Sequence, residues 1–494
     1  MPVEGVLDVR DLPGAVARIG LHPGDPVFVR PDGSIDRCLL DFVRSPEFRV
    51  LERETKRNYA TDIRVLLDFL SARGIEWQAA STRDLADFRD WRCRAEANPD
   101  RIGGAKWNRE LAAFTKLFRW GRIRPLPVDF GRRRDRAGDA VSARVSWLTP
   151  RAWRLWTNVG LRGYGSDGLV GPGWCSRVEM RNSAFVDLVV SSGLRRQEAG
   201  SLLIFEVPAR RLRHGRYCHG RVAGAVTRSK VGRVFYTSVD AVGQAEVYVQ
   251  SERALAVRSA QAAGRYDGLP YRLVSDVSGG PRSRVRWVDR AGVEGGWELD
   301  RLGWRERRWL FVEGPEGPEP AWLWLTEQGL PMEPDRWNGV FTQANRRCEQ
   351  RLLPEIERVP GRGLRLGERV GCPRATPHCG RHSFALYMLV VLNQLMETRY
   401  GLSRAERRDF AILFGDPWWL VKTLLGHADV ETTKRHYLAP VAHLHLESVL
   451  AAAEDERTED SWAPEGAGMD AVFARLAREA PQIQDVEVRL DGER

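Results

Sequence analysis

The chain is poor in lysine. Of its 76 basic residues six are lysines (Lys56, Lys106, Lys116, Lys230, Lys422, Lys434), which leaves seventy arginines. A GC-rich coding sequence produces that bias as readily as function does, so the arginines are discounted and each lysine position becomes informative. Cysteine is also scarce as a framework. The seven (Cys38, Cys93, Cys175, Cys218, Cys348, Cys372, Cys379) are scattered, odd in number and contain no Cys-x-x-Cys, which argues against a disulfide scaffold and for reduced thiols. Their spacing offers no metal site of the usual kind, and none is expected. The longest apolar run, Ala385 to Leu392, is far too short to span a bilayer. The start, Met1-Pro2-Val3-Glu4, is acidic and lacks a signal-peptide core. Repeats and low-complexity tracts are absent. The expectation is a soluble cytoplasmic protein without a membrane partner.

What is present is a chain of 494 residues, long enough for two or three domains. It is 43% hydrophobic and 9% aromatic, with a net charge of +10 and a pI near 9.5. That balance permits nucleic-acid binding without requiring it. Residues 1–43 are punctuated by Gly and Pro and read as short strands or loops without an assignable role. Residues 44–130 turn helical: Tyr59, Ile63, Leu66, Leu67 and Leu70 recur at helical spacing, with Thr55 as a cap and Gly74 as a stop. Ser81-Thr82-Arg83-Asp84 reads as a capping box, and Trp107, Leu111, Phe114 and Phe118 mark a further helix. Lys56, Arg57, Lys106 and Arg109 sit at helix starts, where they fit either phosphate neutralisation or solvated helix faces. Residues 131–146 are charged and aperiodic, a linker pattern.

A second, larger domain is expected over 147–454, with an acidic tail at 455–494 that holds one amphipathic stretch near Val472 to Ala477. Within it, 221–227 and 233–237 read as two strands of a hairpin around Arg228-Ser229-Lys230-Val231-Gly232. Residues 241–322, rich in Trp, Arg and Gly with strand-like alternation, read as a β-rich insertion.

Three stretches carry chemistry. Ser192-Gly193-Leu194-Arg195-Arg196-Gln197-Glu198 follows an apolar helix and sets Arg195 and Glu198 one turn apart. Thr376-Pro377-His378-Cys379-Gly380-Arg381 opens a helix, with Thr376 as cap and Pro377 at its first position. Leu424-Leu425-Gly426-His427 ends a helix at a glycine suited to positive φ, and Tyr437 stands ten residues beyond His427. By itself each is an ordinary helix boundary. In order they read Arg, His-x-x-Arg, Leu-Gly-His, Tyr, and this order resembles the tyrosine recombinase (phage integrase) family, in which a lysine of a hairpin such as Ser229-Lys230-Val231-Gly232 acts as general acid. Asn108-Arg109 stands where that family often has an Asn-Arg pair, and Leu323-Trp324-Leu325-Thr326 resumes family-like sequence after the insertion.

The resemblance implies a mainly α fold with a small β-sheet (α+β): a helical core-binding domain, then a tyrosine-recombinase-like catalytic domain carrying the insertion. It implies a site-specific recombinase or integrase that cleaves and rejoins strands through a 3′-phosphotyrosine, without a cofactor. Tyr437 would be the nucleophile and Lys230 the general acid for the 5′-oxygen. Arg195 and Arg381 suit bidentate contact with the non-bridging oxygens, and Glu198 would support Arg195. His378 would accept the tyrosine proton and His427 would hydrogen-bond the phosphate. The partners implied are double-stranded DNA bearing a specific attachment or recombination site, three further copies in a homotetramer, an accessory factor in some members, and association with the nucleoid on DNA. The apolar positions Val441, Leu444, Leu446, Val449 and Leu450 would dock on a neighbouring subunit. Two other readings remain open: a relaxing enzyme of type IB topoisomerase character, and a non-catalytic DNA-binding protein on the same scaffold.

Overall fold

The computed structural model describes residues 12–22, 24–30, 33–137, 147–165, 168–171, 173–208, 217–279, 283–357, 372–398, 417–427, 429–433, 470, 472–474, 476–477 and 483–485. The chain divides into two compact units, Met1–Ala143 and Arg144–Arg494. Helices dominate, with small sheets in the second unit. Among the described residues no helix is long and apolar enough to cross a membrane.

Among the described residues the first unit is mainly helical, with one isolated bridge between Val29 and Ile35. Helices α1 (Leu12–Arg18), α2 (Arg37–Arg44) and α3 (Pro46–Arg49) precede the long α4 (Arg53–Ser71), α5 (Thr82–Cys93) and α6 (Gly104–Trp120). Residues 1–43 were expected to be strands or loops; the described residues between 19 and 36 are loop with that bridge, whereas Leu12–Arg18 and the stretch from Arg37 are helical. Asp36 caps α2 by accepting from Leu39 N at 2.9 Å, and Leu39, Phe42 and Val43 enter the same core as α4 to α6. Gly and Pro around α2 masked a helix only eight residues long. The capping box on α5 forms as read, Ser81 Oγ accepting from Asp84 N and the Asp84 carboxylate accepting from Ser81 N. Within 131–146, residues 131–137 form turns that lie against α6. Trp107 Nε1 donates to Asp135 O, and Asn108 exchanges two hydrogen bonds with the Ala137 backbone.

The second unit opens with β1 (Trp147–Leu148) and α7 (Pro150–Gly160), followed by α8 (Glu179–Ser192) and α9 (Arg196–Gly200). Strands β2 (Tyr217–Val222) and β3 (Arg233–Ser238) pair antiparallel. The first strand therefore lies earlier than 221–227: residues 224–226 form a 3₁₀ turn and 227–230 complete the connection. The stretch read as a β-rich insertion begins as helix, α10 (Val239–Tyr248) running through a π-turn into α11 (Ala254–Ala262). A five-stranded sheet follows, built from β4 (Arg272–Val277), β5 (Arg284–Asp289), β6 (Glu294–Glu298), β7 (Leu310–Gly314) and β8 (Gly317–Pro320). Its order is β6-β5-β4-β7-β8, and α12 (Trp304–Arg307) lies between β6 and β7. Its inward face joins the main core through Val285 and Leu310. Arg307, buried on α12, holds Glu206 bidentately at 2.6 and 2.8 Å and fastens this region to the chain just after α9.

Helices α13 (Trp337–Glu357), α14 (Pro377–Thr398), α15 (Pro417–Leu425) and α16 (Val430–Thr433) complete the unit. The chain then returns. Residues 470–477 include a helical stretch, and β9 (Ile483–Gln484) pairs parallel with β1. Val472, Phe473, Leu476 and Ile483 share a core with Trp147, Leu389 of α14 and Val421 and Leu425 of α15. Thr149 Oγ1 donates to Asp485 and Ser383 Oγ accepts from Leu148 N. Part of the segment read as an acidic tail thus packs behind the helices that carry the later motifs. Residues 441–450 lie outside the described residues.

Phe473 meets Tyr387 edge-on with ring centroids 5.0 Å apart and is 3% exposed. Phe473→Ala is expected to destabilise the second unit by about 3 kcal/mol, the usual cost of emptying a buried aromatic site. Chemical denaturation followed by tryptophan fluorescence measures this, and a loss below about 1 kcal/mol would contradict the packing.

Candidate active site

Helix α8 ends at Gly193, whose φ of +63° is left-handed and whose Cβ position lies 2.3 Å from Phe384 Cδ1. Only glycine meets both demands. The chain turns there into Arg195, which precedes α9. The Glu198 carboxylate accepts from Arg195 N at 2.9 Å through Oε2 and from Arg195 Nη1 at 2.9 Å through Oε1. Arg233, the first residue of β3, donates from Nη2 to Glu198 Oε2 at 2.7 Å. Helix α9 is braced from beneath, because Trp324 Nε1 donates to Ala199 O at 2.8 Å and Gly200 fits against Trp337. The Glu198 side chain has no exposure. Burial alone would raise its pKa, but the positive charges of Arg233, Arg381 and Arg195 outweigh it, and the carboxyl stays below its ordinary range.

Helix α14 starts as the sequence indicates, with Thr376 Oγ1 accepting from Cys379 N at 3.2 Å and Pro377 at the first turn. His378 and Arg381 lie one turn apart. Arg381 is fully buried. It donates from Nη1 to Gly193 O, from Nη2 to Leu425 O at 2.6 Å, and from Nη2 to His427 Nε2 at 3.0 Å. Gly193 and Leu425 stand at the C-terminal ends of α8 and α15, where the helix dipoles are negative. The guanidinium therefore joins two helix ends.

Gly426 takes φ +67° and turns the chain into His427. A Cβ there would stand 2.5 Å from both Cδ and Nε of Arg233. A guanidinium only donates, so His427 Nε2 is the acceptor from Arg381. Nδ1 then carries the proton and donates to Thr433 Oγ1 at 2.8 Å. Burial, then the charges of Arg381, Arg195 and Arg233, bring the His427 pKa down to about 3. His378 is brought down to about 4 by dense surroundings and then by Arg381 and Arg195, although part of its ring is exposed. Both imidazoles are neutral at neutral pH, so His378 is able to accept a proton. His427 acts here as an acceptor, whereas a hydrogen bond to phosphate would need it to donate.

Five of the residues singled out in the sequence therefore come together: Arg195, Glu198, His378, Arg381 and His427. Lys230 is exposed on the β2–β3 turn with φ +58°. Tyr437 lies outside the described residues. Sequence reading missed Arg233 and Thr433, and one of seventy arginines gave no local signal. Among the described residues no cluster of His, Cys, Asp and Glu suits a metal ion.

In the first unit, Lys56 pairs with Asp25 at 2.8 Å and Lys106 lies 3.7 Å from the buried Glu110. Arg109 holds Asp62 bidentately at 3.0 and 2.7 Å. These three cations serve internal ion pairs, while Arg57 is exposed.

Residues 47–123 match the family model described as phage integrase, N-terminal SAM-like domain. No curated protein matches the chain. Among solved structures the chain is similar to a XerH site-specific recombinase bound to palindromic difH substrate in a post-cleavage complex. That match has 14% identity, covers 83% of this chain and 82% of that one, and has a TM-score of 0.41. A pre-cleavage complex of XerH with difH substrate has 14% identity, coverage of 81% and 78%, and a TM-score of 0.40. XerA recombinase has 12% identity, coverage of 85% and 98%, and a TM-score of 0.28.

The low His427 pKa has a thermodynamic consequence. An unfolded histidine titrates near 6.5, so between that pH and about 3 the unfolded chain binds the extra proton. The associated stability is complete above about pH 6.5 and is lost as pH falls, at about 1.4 kcal/mol per unit. His427→Asn should show a shallower loss of stability between about pH 6 and 4 in denaturant titrations. Equal slopes for both proteins would contradict a buried neutral His427.

Proposed function

We propose, for a chain whose residues 47–123 match the phage integrase N-terminal SAM-like domain, that it is a site-specific DNA recombinase of the tyrosine type. It cleaves and rejoins strands through a 3′-phosphotyrosine formed by Tyr437. The observation that carries this reading is a charge imbalance. Among the described residues, two guanidiniums, Arg195 and Arg233, bind the buried Glu198 carboxylate and a third, Arg381, lowers its pKa through its charge, beside two neutral imidazoles, with Asp429 at the exposed rim. Desolvated positive charge of this kind favours an anion, and a phosphodiester supplies one.

In this reading Arg195, the more exposed of the buried arginines with about a quarter of its side chain accessible, meets the phosphate first. Arg381 is covered and donates to backbone carbonyls, so its contact with phosphate requires a shift of the turn that holds His427. Negative charge arriving there favours the protonated imidazole and converts His427 from acceptor to donor. His378, neutral beforehand, takes the proton of the Tyr437 phenol. The phenolate oxygen bonds to phosphorus, the bond to the 5′-oxygen breaks, and Lys230 protonates that oxygen. Rejoining reverses these steps, with the phosphotyrosine bond conserving the energy. The partner is double-stranded DNA carrying a specific site, acted on by a homotetramer.

The Lys230 backbone supports a functional lysine. A left-handed conformation costs a non-glycine residue roughly 1 kcal/mol, and glycine would remove that cost. Lys230→Gly should accordingly raise stability by about 0.5–1 kcal/mol while slowing strand cleavage by about 10²–10⁴-fold. An unchanged cleavage rate would reduce Lys230 to a turn residue. Tyr437→Phe should retain DNA binding and form no covalent adduct on nicked duplex, with the wild type active in excess chelator. A covalent adduct of undiminished yield in Tyr437→Phe would overturn the nucleophile.

A further inference from the structure

We infer that Arg233 is a positioning residue for strand cleavage, acting through Glu198 to fix Arg195 and, at its other end, to fix the turn that carries His427. The inference rests on the recombinase reading above and adds a residue that the motif order does not contain.

The guanidinium spans three elements that are distant in sequence. Nη2 reaches Glu198 Oε2 at 2.7 Å, while Nη1 reaches Leu424 O at 3.2 Å at the end of α15. Its stem fills the space left by Gly426, where a single methyl group would stand 2.5 Å from Cδ and Nε. Arg233 follows Lys230 by three positions, with only Val231 and Gly232 between them, and the antiparallel pairing of Val222 with Arg233 closes the hairpin at that point. One side chain thus ties the lysine-bearing turn to the Arg195 helix and to the Gly426-His427 turn. The Arg233 side chain is 14% exposed and Glu198 has no exposure, so the link works in a medium where an ion pair is strong and its rupture leaves a stranded charge.

The direction of action follows from geometry. Glu198 has two oxygens, and Oε2 serves both Arg195 N and Arg233 while Oε1 holds Arg195 Nη1. Removing Arg233 leaves that carboxylate one guanidinium short, free to rotate and easier to protonate. Arg195 then loses the orientation of its fork. Lysine is a poor substitute, because one ammonium on a flexible stem cannot serve Glu198 and Leu424 O together as a planar fork does.

The test uses the full chain with nicked duplex enriched by its own binding from a random-sequence pool. Single-turnover covalent adduct formation is measured at saturating DNA, alongside the Kd. Arg233→Gln is expected to slow adduct formation about 100-fold with Kd changed less than about threefold, and Arg233→Lys to recover only part of that loss. Glu198→Gln should be similarly slow, and the double variant no slower than about threefold beyond either single, because both act through one link.

The pH profile separates positioning from general support of the fold. The charged and titratable groups that act on Glu198 are Arg195, Arg233 and Arg381, with His378 and His427 neutral beside them. Without Arg233, Glu198 takes up a proton at higher pH. The Arg233→Gln rate should therefore fall by about 10-fold from pH 8 to 6 where the wild type changes by less than about threefold. Wild-type cleavage with an unaltered rate in Arg233→Gln, or multiplicative losses in the double variant with a parallel pH profile, would overturn the inference. Absence of any adduct from the wild type would instead overturn the recombinase reading itself.

Discussion

A buried carboxylate, Glu198, holds two guanidiniums in place, and the candidate site depends on that contact. Ion pairs taken out of water lose much of their solvation, and the Coulomb attraction offsets this only when every lone pair and donor is used well. Glu198 uses both oxygens, on Arg195 and Arg233. Arg381 donates to the C-terminal carbonyls of two helices and to the imidazole of His427. The outcome is a positively biased cluster assembled from α8 and α9, the β2–β3 hairpin, α14 and the turn after α15.

Several contacts around this cluster keep those elements in register. Trp324 and Trp337 lie under α9, and Arg307 joins the five-stranded region to the chain that leaves it. That region therefore buttresses the Arg195 motif. Val472, Phe473, Leu476 and Ile483 pack against α14 and α15, and Ile483 and Gln484 pair with β1. In the first unit, by contrast, lysines and arginines at helix starts are spent largely on internal pairs with Asp25, Asp62 and Glu110. Asn108-Arg109 is a scaffold feature there: Asn108 ties down the chain at Ala137 and Arg109 ties α6 to α4.

Local chemistry was legible in the sequence and long-range pairing was not. Thr376 and Pro377 announce the start of α14, Ser81 and Asp84 form their box, and Gly426 takes the positive φ that its place after two leucines suggests. Each depends on neighbours within four residues. Arg233 depends on Glu198 and Leu424, far off in the chain, and nothing nearby distinguishes it from the other arginines. The pairing of Trp147 with Ile483 has no local signature either. Helix α2 was missed for a different reason, since Gly and Pro on both sides outweighed one short apolar cluster. Helices α10 and α11 were hidden because the Trp-rich alternation that follows them coloured the whole stretch as strand.

A recombinase of this kind requires that the Arg195, Arg381 and His427 cluster direct a tyrosine onto a phosphodiester. The most direct measurement is mass spectrometry of the tryptic peptide left on the 3′ end of nicked duplex DNA after reaction with the full chain. One modified peptide is expected, His436–Arg457, carrying the nucleotide on Tyr437. A nucleotide attached at another residue, or strand cleavage that leaves no peptide on the DNA, would contradict it.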